Sequence, residues 1–159
     1  MKLSMRKSGT LLKIAYTLLL TLVLLTPSTL SAAEPNEVTL LNIGNIYRVA
    51  SGPDRPSMFT LDTTFVITYI YTYHWNDGQG IDPGTISLIN KEGEIYGPFQ
   101  TNGITGQGGV LNAGWETYIE AKVPPGRYTI LDSNPLTWSC NAESDYKGFA
   151  IVKGYRASN

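Results

Sequence analysis

Between Phe65 and Trp75 the chain alternates. Phe65, Ile67, Tyr69, Tyr71, Tyr73 and Trp75 are large and mostly aromatic, and Thr68, Thr72 and His74 lie between them. Period two in β-branched and aromatic residues is the signature of a β-strand, because successive side chains point to opposite faces. The pattern predicts one long strand whose ring-bearing stripe packs into the core, with Thr68, Ile70, Thr72 and His74 facing outward or towards a partner. Under the opposite assignment the same rings would form an exposed patch of the kind that marks attachment or self-assembly.

Shorter extended segments surround this strand. Val38 to Ile43, Ile46 to Ala50 and Met58 to Leu61 precede it, separated by Gly44, by Ser51-Gly52-Pro53-Asp54 and by Asp62-Thr63. After it, Thr85 to Asn90 and Glu94 to Tyr96 read as a hairpin turned by Lys91-Glu92-Gly93 and ended by Gly97-Pro98. Gly93 supplies the left-handed position that a three-residue hairpin loop needs. Trp115 to Val123, the turn Pro124-Pro125-Gly126 and Arg127 to Leu131 form a second antiparallel pair, and Phe149 to Lys153 closes the domain. Three loops are too rich in turn residues to be anything else: residues 76–84, 101–114 and 132–147. No segment repeats at helical spacing for long enough to predict a helix. Roughly seven to nine short strands at this spacing predict an all-β fold, an antiparallel β-sandwich of jelly-roll or immunoglobulin-like type.

Residues 1–33 fall outside that fold. Lys2, Arg6, Lys7 and Lys13 are followed by an apolar run from Ile14 to Leu25, by Thr26-Pro27-Ser28, and by the small residues Ser31, Ala32 and Ala33. This is the pattern of a cleaved secretory signal peptide, which leaves residues 34–159 as a single domain, secreted to the extracellular space or the periplasm, with no membrane insertion after cleavage. Loss of those four basic residues leaves eight basic against thirteen acidic, a net charge of −5. An acidic chain without a Lys/Arg cluster argues against nucleic acid and anionic lipid as partners. The single cysteine, Cys140, allows no internal disulfide, and its expected role is that of a small half-buried apolar residue.

Two groups of strings carry a resemblance. One is Pro124-Pro125-Gly126-Arg127-Tyr128-Thr129-Ile130. The other is Tyr73-His74-Trp75-Asn76, Pro83-Gly84-Thr85-Ile86, Asp132-Ser133, Trp138 and Asn141. Together they span most of residues 59 to 154 and resemble small uncharacterised secreted bacterial β-sandwich accessory modules. The resemblance implies an accessory, non-catalytic, extracellular domain, within a group that includes carbohydrate binders, peptidase companions and adhesion units. It carries no site over residue by residue.

Enzymatic readings find little in the residues. His74 is the only histidine, so a catalytic triad depends on it and needs a nucleophile such as Ser133 or Ser139, neither of which sits in a nucleophile motif. Glu116, Glu120, Asp132, Glu143 and Asp145 could supply a carboxylate pair for glycoside hydrolysis, but scattered acids on a β-protein mainly solubilise it. The expectation is that the protein is not an enzyme and uses no cofactor. Asn76 to Gly80 and Asp132 to Asn134 carry fragments of a calcium loop, short of its full spacing, so a structural calcium stays an open alternative.

The strongest candidate is an aromatic platform carried by loops. Trp75, Trp115 and Trp138 lie at strand ends or in loops, and Asn76, Asp77 and Asn141 stand near them in sequence to bond a ligand's hydroxyls. These six residues are the predicted ligand site of a secreted binding module for polysaccharide or another cell-surface component. The alternative is a structural or interaction subunit that docks on another extracellular protein or self-assembles, extending an exposed sheet edge.

Overall fold

The computed structural model describes residues 36–158. The signal peptide read over residues 1–33 lies outside them. Eleven strands account for the described chain: β1 Val38–Ile43, β2 Ala50–Ser51, β3 Met58–Leu61, β4 Phe65–Tyr73, β5 Thr85–Asn90, β6 Ile95–Gln100, β7 Asn102–Ile104, β8 Gly114–Val123, β9 Gly126–Asp132, β10 Ser139–Cys140 and β11 Ala150–Arg156. They form an all-β antiparallel sandwich. A five-stranded sheet in the order β1-β11-β4-β8-β7 faces a four-stranded sheet in the order β3-β9-β5-β6, and β10 and β2 form a small ribbon beside them. The only helical pieces among the described residues are single 3-10 turns at Asn76–Gly78, Gln107–Gly109 and Ala142–Ser144.

Alternating apolar residues from both sheets meet between the layers. Ile67, Ile70 and Val152 of the five-stranded sheet pack against Ile86, Leu88 and Tyr128 of the other, all fully or almost fully buried. Each such aliphatic side chain contributes about 1.5–3 kcal/mol of burial. Tyr128 stacks on Phe59 at 5.6 Å, and its hydroxyl donates to the Pro124 carbonyl at 2.8 Å. The phenol is thereby satisfied and the turn into β9 is tied to the strand it begins.

Three local expectations change. Within Ile46 to Ala50 only Ala50 joins a ladder, and residues 44–49 form a loop in which the Tyr47 N–H donates to Asn45 Oδ1, a side-chain turn that replaces strand pairing. Gly97-Pro98 does not end its hairpin, because β6 continues to Gln100 across a register shift opposite Ile86 and Leu88. Inside the glycine-rich loop, Asn102–Ile104 pairs with β8 and becomes an edge strand.

The largest correction concerns β4, the central strand of its sheet. Phe65 and Ile67 point into the core as expected, but from Ile70 onward the inward residues are Ile70, Thr72 and His74. Tyr69, Tyr71 and Tyr73 therefore lie on the outer face. Both neighbouring ladders slip at this point, between Ile67 and Tyr69 against β8 and between Lys153 and Gly154 against β11. A bulge changes the phase of a period-two pattern, so every side chain beyond it changes sides. Gly154 permits the close approach: a Cβ there would stand 2.4 Å from the Val66 carbonyl oxygen.

Candidate functional site

The strand that the bulge turns over forms the floor of a groove on the outer face of the five-stranded sheet. Tyr71 and Tyr73 lie in a depression of about 450 Å³, with the 44–49 loop on one side and residues 105–107 on the other. A second depression of about 200 Å³ shares Asn45, Ile46, Tyr73, Gln107 and Phe149 with the first and reaches Trp75. The two are one continuous groove. Glycines on the neighbouring segments leave room for the rings. A Cβ at Gly114 would come within 2.9 Å of the Tyr71 ring, and one at Gly106 within 2.8 Å of the Tyr73 ring.

The walls are held from below. Asn141 and Asn45 exchange side-chain amide hydrogen bonds at 2.8 and 3.0 Å, and Asn141 Nδ2 also reaches the Arg48 carbonyl at 3.3 Å. Asn141 is itself fixed by a reciprocal capping pair with Ser144. The opposite wall folds on itself through Gly106 N–H to the Val110 carbonyl at 2.8 Å, with Gly108 and Gly109 at positive φ of 65° and 80°. Those two left-handed positions make so tight a loop accessible to glycine.

The phenols of the floor stay neutral. Burial pushes Tyr71 up to about 12, and burial together with the Glu116 carboxylate raises Tyr69 as well. Burial also raises Tyr73, opposed by the nearby Gln107 N–H, which favours the phenolate. That N–H does not reach hydrogen-bonding geometry, and the Tyr73 hydroxyl is buried without a partner.

Of the six residues predicted to form the ligand site, the structure brings only Trp75 to this groove. Trp115 is 1% exposed, stacks on His74 at 3.9 Å and donates Nε1–H to the Ile81 carbonyl at 3.1 Å. Trp138 is 5% exposed, donates Nε1–H to the Phe149 carbonyl at 2.8 Å and packs so closely on Gly148 that a Cβ there would lie 2.2 Å from the indole. Both indoles are core residues at the sandwich end, where large amphipathic rings bury their area and satisfy their N–H. Asn141 is buried and serves the wall rather than a ligand. Asn76 and Asp77 turn the chain at positive φ of 47° and 53°, with Asn76 Nδ2 donating to the Gly80 carbonyl. Neither residue lines the groove.

His74 does meet a carboxylate and a hydroxyl, though neither predicted serine. Its Nε2 lies 3.1 Å from Asp132 Oδ2 and its Nδ1 2.9 Å from Thr137 Oγ1, while the Thr72 hydroxyl donates to the same carboxylate oxygen at 2.9 Å. The imidazole and the carboxylate side chains are both fully buried, and Trp115 covers the ring. The arrangement is a polar core knot that joins β4 to the loop after β9. It also accounts for the calcium-like string at Asp132: that carboxylate accepts from Thr72, His74 and the Asn134 N–H. Among the described residues no group of three or more His, Cys, Asp or Glu side chains converges as a cation site. Cys140 is fully buried in β10 rather than half-buried, and desolvation raises its thiol pKa.

Asn45, Ile46 and Gln107 were not read as site residues, and Tyr69, Tyr71 and Tyr73 were assigned to the core, becoming an exposed patch only under the opposite facing of the strand. A further trace in the sequence is the pair of glycines against the rings, Gly106 and Gly114, together with Gly154 at the bulge, whose meaning depends on pairings that only the folded sheet supplies. No protein-family model, curated protein or solved structure matches this chain. No helix among the described residues is long and apolar enough to cross a membrane.

Proposed function

We propose that this chain is a secreted, non-catalytic binding module that recognises polysaccharide, on a cell surface or in the environment, in the groove over Tyr71, Tyr73 and Trp75. The observation that carries the reading is the recessed aromatic floor between walls of side-chain amides. The C–H face of a pyranose ring packs on an aromatic ring, and Asn42 and Gln107 bond its hydroxyls, while Asn45 is engaged by Asn141 and the Tyr47 N–H and shapes the wall. Among the described residues, none lining the larger depression carries a charge and Arg48 is the one charged residue lining the smaller, so the stretch over Tyr71 and Tyr73 favours a neutral glycan over a charged one. Affinity electrophoresis through gels containing neutral polysaccharides tests the proposal. Retardation by at least one glycan, lost in Tyr71→Ala and Trp75→Ala variants with native circular dichroism, supports it. Free migration through every gel refutes it.

A second reading is supported by a separate observation. Ile46 is 82% exposed and Tyr47 62%, and the tyrosines of β4 and β8 share their side of the molecule. An apolar face of this kind also suits a subunit that docks on another extracellular protein or on a second copy. Light scattering of the mature protein separates the readings, since a monomer at tens of micromolar counts against self-assembly.

A further inference from the structure

The aromatic surface does not stop at the groove. One step along β4, Tyr69 stands opposite Tyr118 of β8 with ring centroids 5.1 Å apart, and Tyr118 is 72% exposed. The Tyr69 ring is oriented from two sides. Its hydroxyl donates to Glu116 Oε2 at 3.1 Å, and Lys153 Nζ sits 5.3 Å from the ring centroid. Tyr118 is largely uncovered, so the sandwich gains little burial from it, while the second ring beside it is held in place. Large exposed aromatics in contiguous patches mark recognition surfaces.

Tyr69, Tyr71 and Tyr73 follow one another on a single strand face. At strand rise Tyr69 to Tyr73 covers about 14 Å, roughly three linked pyranose rings, before Trp75 is added at the far end. The chemistry changes along this line. The larger depression offers neutral amides, whereas the Tyr69 end offers the Glu116 carboxylate and the Lys153 ammonium, itself 4.0 Å from Glu37 Oε2, as strong hydrogen-bonding groups for sugar hydroxyls.

Resting on the reading of the groove as a glycan site, we infer that Tyr69 and Tyr118 form a distal subsite, and that the protein binds the interior of an extended, neutral, linear polysaccharide along β4 rather than a chain end or a single sugar. The Tyr69 end, with its locked ring, makes affinity depend on chain length. A ligand of one or two units fills the groove alone, and about four units engage the whole track.

The test uses the mature protein and cello-, xylo-, manno- and malto-oligosaccharides of one to six units, with affinity measured by titration calorimetry. Affinity is expected to rise from two units to about four and then level off. Tyr118→Ala, a surface change that the core does not feel, is expected to weaken binding of the four- and six-unit ligands roughly tenfold, the equivalent of one aromatic stacking contact, and to leave the two-unit ligand unchanged. Tyr69→Phe, which releases the ring from Glu116, should give a smaller loss of the same length dependence. Equal affinity from two to six units, or a Tyr118→Ala loss that is the same at every length, overturns the extended track and leaves the groove proposal standing. Binding of no oligosaccharide, together with free migration in every polysaccharide gel, overturns both. If Tyr118→Ala instead converts a dimer into a monomer without changing glycan affinity, the face is a protein interface and the inference fails.

Discussion

Replacing Asp132 by alanine would remove the acceptor at the centre of the buried polar knot. Three donors lose their partner together: the Thr72 hydroxyl at 2.9 Å, His74 Nε2 at 3.1 Å and the Asn134 backbone N–H at 2.8 Å. Asn134 lies in a partly buried turn and can recover part of its bond from water, but Thr72 and His74 are fully enclosed. A buried donor left without its acceptor costs about 1–3 kcal/mol, so the two enclosed donors together cost about 2–6 kcal/mol. Against a total stability of about 5–15 kcal/mol for a domain, that is a large fraction. At a urea slope of about 2 kcal/mol/M, the denaturation midpoint should fall by roughly 2 M.

Asp132→Asn separates geometry from chemistry. The carboxylate accepts from every side, so His74 Nε2 must carry the proton it offers to Asp132, with the Thr137 hydroxyl completing Nδ1. An amide at residue 132 can present its NH2 to His74 only if the ring switches to the Nδ1–H tautomer, with Thr137 then donating to the Asn134 carbonyl, 3.3 Å away. That rearrangement keeps most bonds, so the amide variant should lose about 1–2 kcal/mol. His74 is the chain's only histidine, so nitrogen-edited NMR reads its tautomer without ambiguity. A loss below about 1 kcal/mol for Asp132→Ala, or equal losses for the two variants, would show that the knot is not the buried bonded network described.

Removing the orphaned hydroxyl in Tyr73→Phe should raise stability by about 1–2 kcal/mol, because an unpaired buried hydroxyl carries its desolvation cost without return; a lower melting temperature in the variant would contradict this. Of the three tryptophans, acrylamide should quench Trp75 readily in the native protein and reach Trp115 and Trp138 only after denaturation, so two readily quenched populations would be inconsistent with the packing. Alkali should destabilise the fold. The Tyr71 phenol is raised from 10.0 to about 12, so the folded state holds its proton longer than the unfolded chain does. Its contribution is complete below pH 10 and is lost as pH climbs through about 12. Urea titrations across that window should show falling stability, together with phenolate absorbance that develops later than in the unfolded chain.

Much of the sandwich was legible because it rests on local physics. The period-two runs that became β4, β5, β8 and β9 are extended whatever their partners, and Lys91-Glu92-Gly93 and Pro124-Pro125-Gly126 turn the chain by their own backbone preferences, Gly93 at a φ of 85°. Ile46 and Tyr47 were misread for the converse reason. They are β-formers by residue type, but no strand lies beside them to pair with, and propensity without a partner does not make a sheet.

The candidate site was the least legible part, since one bulge decides it. Alternation in a sequence records only which residues share a phase, and says nothing about a position where the two neighbouring strands slip. At Thr68 both ladders shift, and the stripe from Tyr69 to Tyr73 that its period assigns to the core becomes an outer surface, while Thr72 and His74 enter the interior and must find Asp132. Trp115 and Trp138 moved in the opposite sense, from predicted platform to core, because closing the end of the two layers needs large rings there. By itself the sequence determined strands, turns and the two-layer class, all of which depend on residues close together along the chain. Tertiary structure decided which face is which, because register is a property of paired backbones, and the close approach at Gly154 that permits the slip exists only once β4 and β11 lie side by side.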